Sequence, residues 1–286
     1  MASANLEKQW ENLRGALLWL ALPLLAGLLL AALIPQPVIG ILHLDTAIEP
    51  YSAGLLSAQL TYAREHPEIR AVVLVLDSPG GTVSDTEAVY LDLLNLRKTK
   101  PVVASINSMA ASGAYYLTAG TDYAFAKPTS EVGNIGVIGY LPPSPTIFEG
   151  IISTGPYKLW GTPRDAYVRQ IEMIKQEFYE AVKAGRGSRL KAPSGVVLSG
   201  QIWPGTAALH LGLIDELGAQ SDAIEKAASL AKISNYKTVN LAELALTSSP
   251  YGGYTATQPE NSSAGAYPTE AGLYLLYLPP GFAEQK

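Results

Sequence analysis

Two runs of the sequence constrain the fold most: Ala71–Leu76, AVVLVL, and Val102–Ile106, VVASI. A strand with one wet face alternates apolar and polar residues; a nearly continuous apolar run is buried on both faces. Helices must then cover both sides of a mainly parallel sheet. The flanking segments supply them. Val38–Leu44, Tyr123–Ala126, Ile135–Ile138 and Tyr236–Leu241 read as further strands. Ser57–Glu65, Asp165–Ala184, Ala207–Leu211 and Ser221–Ala231 read as helices, as does a segment capped by Ser84 or Asp85 and running to about Arg97. Ala111–Ala119 predicts a helix of small residues closed by Gly120. Alternation of strand and helix gives an α/β fold in one domain, 38–245.

Charged residues are 16% of the chain and hydrophobic residues 48%. One segment accounts for much of this bias. Gly15–Ile34 holds no charge, and as a helix it would extend roughly 30 Å, the thickness of a bilayer's hydrocarbon core. It exceeds the apolar core of a signal peptide, and no small-x-small site follows it. Residues 15–34 are therefore expected to cross a membrane. Lys8 and Arg14 precede the run and no cation follows until Arg64. This places residues 1–14 in the cytoplasm and the rest outside. Residues 35–37 read as a stiff linker. Residues 246–286, rich in Ser, Gly, Pro, Thr and Tyr, read as a flexible tail with one apolar patch, Ala271–Leu278.

The chain has no cysteine, three histidines and a net charge of −5. A thiolate zinc site and a cysteine nucleophile are excluded, and an acidic balance argues against nucleic acid. Two motifs carry chemistry. Asp77-Ser78-Pro79-Gly80-Gly81 follows a buried strand, where glycines let backbone N–H groups approach a ligand or simply make a tight turn. Asn107–Tyr116 (NSMAASGAYY) joins a strand to the small-residue helix. A serine there would face the helix's positive N-terminus. Ser108 and Ser112 compete for the role, Ser112 having the smaller neighbours. His43, His66 and His210 lie in no motif-like setting, so the base is sought among the lysines. Lys158, in Gly155–Gly161 (GPYKLWG), has apolar and aromatic neighbours that would desolvate it toward the neutral form a base requires.

Taken in order, DSPGG, AASGAYY, VGNIGVIG (Val132–Gly139), GPYK and Ala208–Gly218 (ALHLGLIDELG) resemble the signal peptide peptidase family. These are membrane-bound serine peptidases with a Ser/Lys dyad, on the fold of Clp-protease subunits and crotonases. The resemblance covers about 38–235. It implies repeated β-β-α units, Ser112 as nucleophile and Lys158 as general base. It further implies Gly113 with Gly80 or Gly81 as oxyanion donors. Asn134 stands where many members carry a serine that orients the lysine. No cofactor or metal is implied. The implied substrates are apolar peptides such as cleaved signal peptides, and the implied assembly is a homo-oligomeric ring. A processing peptidase for one membrane protein, an inactive scaffold and an acyl-CoA enzyme of the crotonase type are the other readings. The patch Ala271–Leu278 is further expected to enter the chain's own peptide groove as a substrate mimic.

Overall fold

The computed structural model describes residues 2–33, 36–140, 154–155, 157–158, 161–248 and 273–276. The chain divides into two compact units, Met1–Pro37 and Val38–Lys286.

The first unit is helix α1, Ala2–Leu33, with Pro23 inside it. Its apolar side chains point outward on every side: Leu17, Leu18, Trp19, Leu20, Leu24 and Leu29 are all exposed. Residues 15–33 of the expected span 15–34 fall in α1, residue 34 lies outside the described residues, and the side chains of the last residues are not among those described. Among the described residues no helix is long and apolar enough to cross a membrane.

The second unit is a mixed α/β domain. Its strands include β1 (Val38–Leu44), β2 (Ile69–Ser78), β4 (Val102–Ala111), β5 (Tyr123–Ala126), β9 (Glu216–Leu217) and β10 (Lys237–Asn240). They form the main sheet in the order β10-β1-β2-β4-β5-β9. Every neighbouring pair along that order is parallel. β6 (Glu131–Gly133) continues the sheet beside the far end of β4, and β8 (Ile202–Pro204) pairs antiparallel with β6. The run in β2 is buried on both faces, as its sequence requires. Val72, Leu74 and Leu76 enter one core with α2 (Pro50–Glu65), α3 (Val83–Arg97), α4 (Gly113–Ala119) and α5 (Arg164–Arg186). Ala71, Val73 and Val75 enter the other, under α8 (Gln220–Ala231), whose Ala223, Ala227 and Ala228 let it lie close to the sheet.

Several boundaries differ from expectation. α2 begins at Pro50, seven residues before Ser57; Pro50 suits a first helical turn, and Ser52 Oγ accepts the Glu49 N–H at 2.9 Å. The cap of α3 is Thr82, whose Oγ1 accepts the Asp85 N–H, in place of Ser84 or Asp85. Helix α4 starts at Gly113 because β4 extends to Ala111. The single strand expected over Ile135–Ile138 is replaced by β6 and β7 (Ile138–Gly139), with Asn134 at φ 52° after β6. α6 (Ser194–Val197), α7 (Gly205–Leu211) and α9 (Leu241–Ser248) complete the helices described. A second, three-stranded sheet is built from β3 (Gly80–Thr82), β11 (Leu273–Leu276) and β7, with β11 in the middle. The expected tail 246–286 lies outside the described residues apart from the end of α9 and β11.

Candidate active site

Ser112 is the single residue between β4 and α4. Its φ of 52° and ψ of −117° belong to a region that non-glycine residues rarely occupy. Neighbouring contacts hold it there. Its N–H donates to Gly133 O at 2.8 Å, and its carbonyl accepts the Tyr116 N–H at 2.9 Å, the first turn of α4. Such a residue costs about 1–3 kcal/mol and persists where its surroundings over-determine it. Ser112 is buried, while Ser108 is an exposed position within β4. The strand-to-helix junction therefore falls on Ser112.

Two further segments flank this turn. Ser78, at the end of β2, is in register with Ala110 of β4, and β3 packs against α4. On its other side Ala111 is in register with Gly133, so Asn134 follows beside Ser112. The glycines are required by contact. A Cβ on Gly81 would lie 1.9 Å from Ile48 O, and one on Gly133 would lie 2.7 Å from the Trp203 ring. Gly80 has φ 97°. Its N–H donates to Ser78 Oγ at 3.3 Å and its carbonyl accepts the Ile48 N–H. Thr82 N–H donates to Ile48 O. Successive residues of a strand turn their amides to opposite edges. Gly80 C=O and Thr82 N–H face Ile48, so Gly81 N–H and C=O face the other edge, where β11 runs.

Asn134 is anchored by its backbone N–H to Gln201 O and by its Nδ2 to Gly200 O, both at 2.8 Å. Its donor end is thus committed, and its Oδ1 is the end a lysine would use. Lys158 differs from expectation. It is exposed in a turn in which its N–H donates to Gly155 O at 3.2 Å. Among the described residues no hydrogen bond joins it to Ser112 or Asn134. The apolar neighbours Leu159 and Trp160, expected to desolvate it, lie outside the described residues. The histidines stay apart from the site: His66 stacks on Tyr62 at 3.7 Å, His43 lies 4.0 Å from Asp45, and His210 is exposed.

The support behind Ser112 escaped the sequence reading. Tyr115, fully buried in α4, donates its hydroxyl to Leu213 O at 2.9 Å; burial pushes its ionisation upward. Tyr116 packs between Tyr90 and Phe178, ring centres 4.7 Å from each. Asp215 accepts two bonds from Arg186, one from Arg189 and one from Ala124 N–H, at 2.8–2.9 Å. Burial alone would raise the Asp215 carboxyl, but hydrogen bonds and charge from Arg186, with Arg189, outweigh it and hold it below the ordinary carboxylate range. The LIDEL segment thus braces α4 and the sheet edge. Arg186 and Arg189 carried no spacing signal that would have paired them with Asp215.

With that geometry in place, likeness to known proteins can be set beside it. The model of peptidase family S49 matches residues 95–234, which include Ser112, Asn134, Lys158 and Asp215. Over those residues, just under half of its length, the chain resembles peptidase family S49. The Clp protease model matches residues 39–132. Among curated relatives, Protease 4 of Salmonella typhi is 31% identical over 193 residues, 63% of this chain and 31% of its own length. The chloroplastic serine protease SPPA of Arabidopsis thaliana is 30% identical over 206 residues, 67% of this chain and 30% of its own. A signal peptide peptidase SppA of Enterococcus faecium, so named provisionally, is 25% identical over 202 residues, 65% of this chain and 58% of its own. The chain thus spans less than a third of the first two.

Proposed function

We propose that this chain is a serine endopeptidase of the S49 type that cleaves apolar peptides, cleaved signal peptides among them, with Ser112 as nucleophile and Lys158 as general base. The observation that carries the reading is Ser112 itself: a serine held at positive φ between a buried strand and a helix N-terminus, beside the glycine edge of β3. In this reading neutral Lys158 takes the Ser112 proton as Oγ attacks the peptide carbonyl. The N–H groups of Gly113 and of Gly81 or Gly80 stabilise the oxyanion. Of the two, Gly81 is favoured, because its amide faces the open edge while that of Gly80 turns to Ser78 Oγ. Lys158 then gives its proton to the leaving amine, and water, activated by Lys158, releases the acyl group as a carboxylate. Asn134 Oδ1 positions Lys158. The reading requires the 155–158 turn to bring Lys158 from its exposed place onto Ser112.

The same proposal places the chain at a membrane through residues 15–34, with residues 1–14 cytoplasmic and the peptidase domain outside. Support comes from the uncharged sequence and the outward-facing leucines of α1. Several copies would assemble into a ring that encloses the sites. The deciding experiment is hydrolysis of a fluorogenic leucine-rich peptide by the full chain, with Ser112→Ala and Lys158→Ala. Each substitution should lower kcat by about 10⁴-fold or more. Full activity in Ser112→Ala would overturn the nucleophile, and full activity in Lys158→Ala the base.

A further inference from the structure

Every neighbouring pair along the main sheet is parallel, so its strands begin together along one edge. Six cations gather there. Arg70 is the second residue of β2, Lys98 and Lys100 lie between α3 and β4, Lys232 lies between α8 and β10, and Lys237 opens β10. Lys191 comes two residues after Arg189, whose Nη1 donates to the carbonyl of Asp122, just before β5. All but Lys100 are exposed. The carboxylates nearby are taken up by other groups. Asp122 accepts from Arg97 Nε at 2.9 Å, Asp215 is held by Arg186 and Arg189, Glu65 lies 3.9 Å from Arg64, and Glu216 accepts the Tyr123 hydroxyl. Glu68 is left to Lys100. Among the described residues none of the six cations forms an ion pair. Lys98 Nζ donates to Asn95 Oδ1, and Lys100 Nζ to the Ala63 and His66 carbonyls, which carry no charge. At the opposite edge, where the strands end, Asp45, Glu49, Asp77, Asp85 and Glu131 outnumber Lys127. The chain's net charge is −5, so the edge where the strands begin has the sign opposite to the molecule as a whole.

We propose that this basic edge docks on the anionic headgroups of a lipid bilayer. Each Lys or Arg near an anionic surface adds to the attraction, which decays over a Debye length of about 8–10 Å. Continuity of the chain selects a bilayer as the partner. Val38, the first residue of β1, lies at this edge, and residues 35–37 alone separate it from the uncharged run 15–34. Such a tether reaches at most about 14 Å. The membrane reading of 15–34, on which this choice of partner rests, therefore brings the cations to the headgroups. Ser112, just past the end of β4, lies toward the acidic edge, and repulsion from the same headgroups keeps that edge off the surface.

The chain has no cysteine, so one introduced thiol takes a single dye. Thr99→Cys, exposed between Lys98 and Lys100, marks the basic edge; Ser108→Cys, exposed in the far half of β4, marks the other. Full-length chains are reconstituted with vesicles that carry a rhodamine lipid, made of phosphatidylcholine alone or mixed with phosphatidylglycerol. Energy transfer from position 99 should rise at least about twofold with phosphatidylglycerol and fall back in about 0.5 M salt. Position 108 should show no rise. Arg70→Glu, Lys98→Glu and Lys237→Glu together should abolish the rise at 99; all three side chains are exposed, and the salt response tests the proposal without them. Equal transfer from position 99 in the two lipids, or a rise that the three substitutions leave intact, would overturn the proposal. So would an assembly state in detergent that the substitutions change while the transfer stays the same, which would assign the edge to a second copy. Flotation separates this proposal from the span. Chains that float with phosphatidylcholine vesicles in high salt, with no lipid effect at position 99, keep the span and lose the edge. Chains that float only with phosphatidylglycerol, and come off in salt, lose the span and keep the edge.

Discussion

At the scale of single residues, the backbone is held in a strained conformation at Ser112, the residue proposed as nucleophile. Glycine adopts φ 52°, ψ −117° without a Cβ penalty, whereas alanine keeps the strain. Ser112→Gly should therefore be more stable than Ser112→Ala by about 1–2 kcal/mol, with both inactive. Denaturant unfolding of the two variants measures the difference, and a Gly variant less stable than the Ala variant would mean the conformation is not strained. Asn134 has the same φ of 52°, a value asparagine tolerates. Asn134→Ala loses both that tolerance and the bond to Gly200 O. It should lose about 1–2 kcal/mol of stability, whereas Asn134→Asp, which tolerates the same φ but cannot donate to Gly200 O, should lose stability through that bond alone. Urea midpoints for the two report this directly.

At the scale of elements, helix α5 crosses α4 with backbone against backbone. A Cβ on Gly185 would lie 1.8 Å from Ala119 O. Gly185→Ala must push α5 away from the helix that begins at Gly113. It should lower stability by several kcal/mol, within the upper range for overpacking, and lower kcat more than it raises KM. Circular dichroism melts and peptide kinetics check both parts. The sequence reading ended this helix at Ala184; it runs two residues further, to Arg186, and Gly185 lies inside it, facing a neighbour. The parallel strands were legible because β-branched runs need burial on both faces. Their ends were not, because β4 is extended by pairing of Met109–Ala111 with Glu131–Gly133 of β6, a contact remote in the chain. Of the candidate site, the glycine turn after β2 and the junction after β4 were legible in the sequence, while the choice of Ser112 over Ser108 came from the family resemblance. The Thr82 cap is local, a Thr-x-x-Asp pattern closing on Asp85 N–H that the sequence reading placed at Ser84 or Asp85, whereas Ile48 against Gly81 is a tertiary contact that no local pattern records.

At the scale of the whole molecule, the Asp215 cluster links the sheet edge at Ala124 to α5 through Arg186, and Leu213 two residues earlier holds Tyr115 of α4. Arg186 and Asp215 are almost wholly buried, their side chains 2% and 4% exposed. Removing one partner from such a pair leaves a buried charge without compensation, at about 3–5 kcal/mol. Asp215→Asn should therefore destabilise the domain by that order at neutral pH, and the loss should reach catalysis through α4. The acid limb supplies an independent sign. The folded carboxyl titrates below its unfolded value, so its stabilisation is complete above about pH 4, near the unfolded value. It is lost as the pH falls further, through the folded value. Wild type should lose melting temperature steeply below about pH 4. Asp215→Asn, already without the carboxylate, should start lower and fall less over the same interval. Parallel melting curves in the two proteins between about pH 5 and about pH 2.5 would show that the cluster does not hold the fold together.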